Sequence, residues 1–414
     1  MLPEAKAKVT GTGDIIASGG WLDAMSKELT KNVEVDLYTA TASDQVKELQ
    51  TIKGKRITHF VFPMKSHKIK YEKSYEQYWT QIINVCNPDI VHIHGTECPH
   101  SVPCVNLFPS LNYIVSIQGL VGEIAKHYCD GLTSCTIIKN ITPRDIYKGT
   151  LFHDRKSFYK RSKFETFVLK SVKYVIGRTS WDRAVVSSIN PDIQYFIGNE
   201  SLRDEFYDGN WEYANCTPHV IFLSQVGWSY KGFHQLLRAL PMIIYHYPDV
   251  KVRIAGEDVI RCKGGWKDKI KLNNYGKILR SMIDESGLSD RIEFLGRINA
   301  LEMKNELLNA NVFVSCSSID NSPNSLGEAQ LLGVPCVASY VGGVPDMVPN
   351  NLCGYLYRYE DYQNLAFLIC RVLEESPSFN NEQMRYVART RHNREKNARD
   401  LLDIYNKIHC QNKS

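Results

Sequence analysis

Short runs of β-branched and aromatic residues alternate with stretches of helical spacing along nearly the whole chain. In the first half the runs predict strands at Val33–Tyr38, Ile57–Phe62, Ile90–His94, Tyr113–Ile117 and Tyr174–Gly177. In the second half they fall at Val220–Leu223, Lys251–Ala255, Ile292–Leu295, Val312–Ser315 and Cys336–Ala338. Strand and helix in alternation are the signature of a doubly wound α/β fold. After the Val220 strand, Phe233, Leu236, Leu237, Leu240, Ile243 and Ile244 share one helix face. The polar, aromatic stretch from Glu200 to Thr217 separates the two halves as a linker. The tail from Asn381 to Ile408 predicts one long polar helix with apolar spacing at Leu401, Leu402 and Tyr405.

The segment from Asp320 to Ser339 carries the clearest chemistry. It reads as loop, helix, tight turn and buried strand, with Ser322 as the cap, Pro323 in the first turn and Gly333 ending the helix. A helix N-terminus at the carboxyl end of a parallel strand attracts an anion through its unpaired N–H groups and its dipole. Asp320 in the loop and Glu328 inside the helix add two carboxylates able to accept hydrogen bonds from hydroxyls. Phosphate beside hydroxyls points to a nucleotide-sugar. A second unit of the same kind follows the Val220 strand. There Lys231 and Gly232 stand where a helix starts, with a cation to reach a diphosphate and a glycine to let the backbone approach.

A length of 414 residues accommodates two domains with full cores. Hydrophobic content of 43% and charged content of 23% are those of ordinary globular proteins, and a net charge of +5 is too mild for a nucleic-acid partner. Twelve cysteines without framework spacing fit a reduced cytosol better than secretion. The spacing of His92, His94, Cys98, His100 and Cys104 matches no standard zinc pair, so ordinary loop and core positions are the expectation and no metal is expected. The basic and aromatic stretches Lys65 to Trp79 and Arg155 to Lys173 read as solvated lysines beside inward-facing aromatics, with contact to a membrane surface as the alternative.

Taken together, Lys231-Gly232, Ile254-Ala255-Gly256-Glu257, Glu293-Phe294-Leu295-Gly296 and the acid pair resemble the family 4 glycosyltransferases. The Asn-Ser-Pro-Asn-Ser-Leu run between the acids resembles enzymes of bacterial capsule and exopolysaccharide assembly. The resemblance implies a GT-B fold, α/β in class, with two Rossmann-like doubly wound domains facing a cleft. Residues 1–205 would form the acceptor domain and 206–385 the donor domain, with a C-terminal helix in 386–414 crossing back to the first. It also implies retaining transfer from a nucleoside diphosphate-sugar to a glycan or lipid-linked acceptor, without a cofactor or divalent metal. The enzyme would be cytoplasmic, with possible peripheral contact at the inner membrane face.

Carried across residue by residue, Glu328 would bind the ribose, Asp320 the donor-sugar hydroxyls and Lys231 the departing diphosphate. Asn324, Ser325 and Leu326 would help through their backbone, and Gly19, Gly20, Gln225, Gly256 and Glu257 would complete the donor site. Gln118, Glu123, Lys126 and His127 would line the acceptor side. Three positions depart from the family. Asp320 stands for a glutamate, Val226 for an arginine five residues before the lysine, and Gln118 for a histidine. The stretch before Ser18-Gly19-Gly20-Trp21 has no apolar run fit for the family's first central strand, so a late assigned start or a truncation is expected. Two rival readings are a nucleotide-sugar epimerase on the same fold and a non-catalytic nucleotide-sugar binder.

Overall fold

A computed structural model describes every residue except 12–19, Val33, 65–70, 261–270 and 412–414. The chain divides into two units, Met1–Val121 with Lys160–Arg203 and Arg391–Ser414, and Gly122–Tyr159 with Asp204–Thr390. Residues 122–159, which the sequence reading counts with the acceptor domain, thus group with the second unit.

The second unit is built on six parallel strands: β8 (Val220–Leu223), β9 (Lys251–Ile254), β10 (Ile292–Phe294), β11 (Val312–Ser315), β12 (Cys336–Ser339) and β13 (Tyr355–Tyr357). They run in the order β10-β9-β8-β11-β12-β13, so the connection reverses direction between β8 and β11. All residues of β8 and β12 are buried, as expected of central parallel strands covered on both faces. The Phe233–His246 helix buries Phe233, Leu236, Leu237, Leu240 and Ile243 and packs on the Tyr362–Glu375 helix. Pro241 lies inside it and removes one of its N–H donors.

The first unit holds β1 (Leu37–Ser43), β2 (Gln50–Lys53), β3 (Ile57–Pro63), β4 (Val91–His94), β5 (Tyr113–Ser116), β6 (Tyr174–Gly177) and β7 (Gln194–Ile197). Among the described residues these form two sheets, β1-β3-β2 and β4-β5-β6-β7, with β1 and β4 each at an edge. The sheets share a core in which Phe60 and Phe62 of β3 meet Ile93, Val115 and Val175. On the other side Met25 and Leu29 of the Gly20–Leu29 helix pack with Leu401, Ile404 and Ile408 of the last helix.

Several elements differ from the sequence reading. β1 is Leu37–Ser43 rather than Val33–Tyr38, because its Thr-Ala-Thr-Ala alternation carries little apolar signal. The short strands β2, β7 and β13 lie outside the predicted set, since their residues are mostly only half-buried or exposed. The tail is two helices, Glu382–Arg391 and Arg394–Gln411. At the break His392 is buried and its Nδ1 donates to the Glu200 carbonyl at 2.8 Å. The Glu200–Thr217 stretch is no free linker either. Trp211 is buried, its indole N–H donates to Ala310 O at 2.7 Å, and its backbone N–H to Leu332 O at 2.8 Å.

Each unit encloses a buried histidine, His392 in the first and His234 in the second. Burial holds both imidazoles down to about 3, against an ordinary value near 6.5. A histidine whose folded pKa is depressed gives its full stability above the unfolded value and loses it as pH falls toward the folded one. Stability should therefore be flat above pH 7 and drop between pH 6.5 and 3, by about 1.4 kcal/mol per pH unit for each histidine. Urea unfolding of the whole chain against pH checks this. His392→Gln should remove one proton's worth of slope, and an unchanged slope would refute the assignment.

Candidate functional site

Parallel strands release their loops at one edge of the sheet, and at a reversal point two loops emerge side by side. Here β8 and β11 pair in register, with Val312 opposite Ile221 and Phe313 opposite Phe222. The loop after β8 ends in a turn, Ser229–Lys231, followed by Gly232 at φ 70° and the Phe233–His246 helix. A Cβ on Gly232 would collide with the Cys316 carbonyl oxygen in the loop after β11. The left-handed conformation and the close approach both require glycine at this position.

Four contacts stitch the two loops together. Ser318 N–H donates to Tyr230 O at 2.7 Å, and the Cys316 thiol to Lys231 O at 3.4 Å. The Lys231 ammonium lies 2.7 Å from Asp320 Oδ2, which also accepts from Ser317 Oγ at 3.1 Å. The fourth is the contact of Gly232 with Cys316. The lysine and aspartate side chains are 18% and 16% exposed, enough to be reached from solvent. Burial alone would lower the Lys231 pKa. The Asp320 carboxylate, together with Tyr230 and Cys316 beside it, outweighs that and raises it, so the ammonium stays charged at physiological pH. Its Nζ also sits 5.4 Å from the centre of the Tyr230 ring.

The Asn324–Leu332 helix begins shortly after Asp320. Its cap is Pro323, one residue later than the sequence suggests, and Ser322 instead points its Oγ to Met347 Sδ at 3.5 Å. Asn324, Ser325 and Leu326 supply the first turn, and Glu328 is buried in the helix at 3% exposure. Gly333 ends it at φ 85°, as its sequence position predicts. The loops after β9 and β10 are joined by Gly256 N–H donating to Gly296 O at 2.8 Å, and exposed Glu257 pairs with Arg297 at 2.6 Å. Gln225 is exposed in the β8 loop and Val226 is buried.

The candidate acceptor residues divide between the units. In the first, Gln118 Nε2 donates to Glu200 Oε1 at 2.6 Å. Glu200 Oε2 accepts from buried Arg178 at 2.8 Å, so the glutamine belongs to a buried charged network. In the second unit Lys126 pairs with Glu123 at 2.6 Å, and His127 with Asp130 at 2.6 Å. The aspartate hydrogen bond raises the His127 pKa. Gly20 opens the Gly20–Leu29 helix, and Gly19 lies outside the described residues.

The sequence reading missed what holds the site. His127 O accepts from Ser318 Oγ at 2.8 Å, and Tyr128 O accepts from Ser229 Oγ. Asp130 O accepts from His234 Nε2 at 3.0 Å and from Tyr359 Oη at 2.9 Å, and Gly131 O accepts from Arg238 at 2.7 Å. The His234 proton must lie on Nε2, because its partner is a carbonyl. Trp228, Tyr230, Tyr128 and Phe158 form an aromatic cluster beside the lysine. The Ser315–Ser318 run and the Trp-Ser-Tyr sequence before Lys231 were the available signals.

The histidines of β4 serve packing and hydrogen bonding. Burial and neighbouring His94 keep His92 well below its ordinary pKa. Both its ring nitrogens are engaged, to Tyr405 Oη and Ser116 Oγ at 2.6 Å each. Among the described residues, no group of three or more His, Cys, Asp or Glu is placed to hold a metal.

Residues 213–400 match the family model for glycosyl transferases, group 1. The chain is 24% identical over 178 residues to one component of the phosphatidylinositol N-acetylglucosaminyltransferase of Homo sapiens, covering 43% of this chain and 33% of that one. It is 26% identical over 204 residues to a putative colanic acid biosynthesis glycosyltransferase of Salmonella typhimurium, covering 44% and 50%. The chain thus spans half or less of the length of these relatives. Anabaena HepE, solved in complex with UDP and glucose, shares the fold at a TM-score of 0.61 and 13% identity, covering 94% of this chain and 95% of that one. The match takes in the Lys231 and Asp320 loops, so residues 213–400 are similar to the group 1 glycosyl transferases, and the chain has a GT-B fold.

Proposed function

We propose that the chain is a retaining glycosyltransferase. It moves a sugar from a nucleoside diphosphate-sugar to a glycan or lipid-linked acceptor, in polysaccharide or glycolipid assembly. The observation that carries this reading is the Lys231–Asp320 pair, 2.7 Å apart just ahead of the Asn324–Leu332 helix, with Glu328 buried inside that helix. A cation and a helix N-terminus together offer a site for a diphosphate. Two carboxylates within the same loop and helix can accept from sugar and ribose hydroxyls. The names of the relatives, one specifying phosphatidylinositol and one colanic acid, support an acceptor of either the lipid or the glycan kind.

In the reaction the bond between the anomeric carbon and the diphosphate oxygen breaks. The acceptor oxygen bonds to the same face of that carbon, and its proton passes to the departing diphosphate. Charge builds on the leaving group, so its stabilisation and the alignment of the acceptor are what the protein must supply. Lys231 and the helix dipole take the first role, with no cofactor. Before the donor binds, Asp320 holds the lysine; when it binds, the ammonium turns to the diphosphate and the carboxylate to the sugar. Cysteines without framework spacing support a reduced compartment, and we place the enzyme in the cytoplasm. Among the described residues no helix is long and apolar enough to cross a membrane.

A thermal-shift panel with UDP, GDP, ADP and CMP tests the donor site. One nucleotide at a hundred times its dissociation constant should stabilise the fold by about 2.7 kcal/mol. Glu328→Ala should abolish that shift, and a cooperative melt that no nucleotide moves would overturn the reading in favour of a non-catalytic protein. Lys231→Ala should lower kcat by about 10²- to 10³-fold with little change in melting temperature, read by product formation from the donor so identified. Free epimerised nucleotide-sugar in place of glycosylated acceptor would show the rival isomerase. For Asp320→Glu, steady-state kinetics separate two outcomes: rising turnover marks the short side chain as a defect, and falling turnover as an adaptation to a particular sugar.

A further inference from the structure

The Gly122–Tyr159 segment contains two short helices, Ser134–Lys139 and Pro143–Lys148, joined at a corner. The backbone of this corner is fixed from inside. Asp145 is buried, accepts from Thr142 N–H at 2.8 Å in a capping box, and accepts from Asn274 N–H at 3.1 Å. Asn274 Nδ2 in turn donates to Ile137 O at 2.9 Å, and Lys277 Nζ donates to Ile141 O at 3.4 Å. Residues 137, 142 and 145 thus face the unit's interior.

The outward positions of the same corner are apolar. Ile138 is 59% exposed, Ile146 76% and Tyr147 90%, with Ile141 at 38%. Consecutive large apolar side chains held in water on a capped, anchored helix find no gain in the fold of the monomer. Lys139, Arg144 and Lys148 stand among them. Between Gly131 and Thr150 the only acid is Asp145, which is buried and hydrogen-bonded. This stretch therefore presents an apolar tip flanked by Lys139, Lys148 and Arg144, the last 3.9 Å from buried Asp145, with no exposed carboxylate of its own. A protein partner of mixed charge has no use for that one-sided charge, whereas an anionic bilayer matches both parts: acyl chains take the tip and headgroups the cations.

We propose that the corner formed by Ile138, Ile141, Ile146 and Tyr147, with Lys139, Arg144 and Lys148, is a docking surface for an anionic lipid bilayer. It lies outside the two basic stretches that the sequence alone brings forward. The proposal does not depend on the transferase reading, because it concerns lipid alone.

Co-sedimentation of the full chain with vesicles tests it, using phosphatidylcholine alone and phosphatidylcholine mixed with phosphatidylglycerol, at low and high salt. The chain should bind the mixed vesicles and largely release at high salt. The double variant Ile146→Ser, Tyr147→Ser should bind at least about tenfold more weakly, with an unchanged melting temperature, since both residues are exposed. Each of Lys139→Gln, Arg144→Gln and Lys148→Gln should cost about fivefold at low salt. Failure of the chain to bind mixed vesicles would overturn the proposal, as would equal binding by the double variant. Light scattering that shows a dimer dissolved by the double variant would also overturn it, and would assign the face to a second copy.

Discussion

The pairing of β8 with β11 is the constraint on which the site depends. These strands are distant in sequence but adjacent in the sheet, at the one place in the second unit where the strand order reverses. Because both are parallel, their loops leave from the same edge. The only freedom left is how closely the loops approach, and Gly232 sets that limit against the Cys316 carbonyl. Lys231 and Asp320, 89 residues apart in the chain, are then within a hydrogen bond of each other.

The same loops are held from the other side by backbone rather than side-chain chemistry. The carbonyls of His127, Tyr128, Asp130 and Gly131 each accept from a donor on Ser318, Ser229, His234, Tyr359 or Arg238. A buried carbonyl left unpaired would cost about 1–3 kcal/mol, so these donors stabilise the fold as well as the site. His234 stays neutral because burial, with the Arg238 charge nearby, disfavours the imidazolium.

Much of this was legible in sequence, and what was not has a physical reason. β6, β8 and β11 coincide with their apolar runs, because central parallel strands are buried on both faces and leave an unbroken hydrophobic signal. The edge strand β7 and the alternating β1 bury less and were lost or displaced. The placement of Lys231 at a turn before a helix and of Glu328 inside the next one was legible because helix starts and glycines have side-chain signatures. The carbonyls of residues 127–131 were not, since the backbone of every residue offers the same acceptor. Nor did spacing reveal that Gln118 is drawn into the buried Arg178–Glu200 network, as that depends on β5 and β6 being neighbours.

The resting ion pair bears on why an aspartate can serve at position 320. A largely buried ammonium without a partner would lose part of its hydration with nothing in return. Asp320 supplies that partner, and Ser317 fixes the carboxylate from behind. In the proposed reaction a diphosphate would offer the lysine more negative charge than one carboxylate does, so an exchange of partners would be favourable on donor binding. The carboxylate so released would keep its Ser317 bond and accept from a donor hydroxyl under that proposal. A longer side chain would reach further but would lie less directly between Ser317 and Lys231. Under the proposed function the short residue would trade reach toward the sugar for a well-ordered resting pair with Lys231 and Ser317.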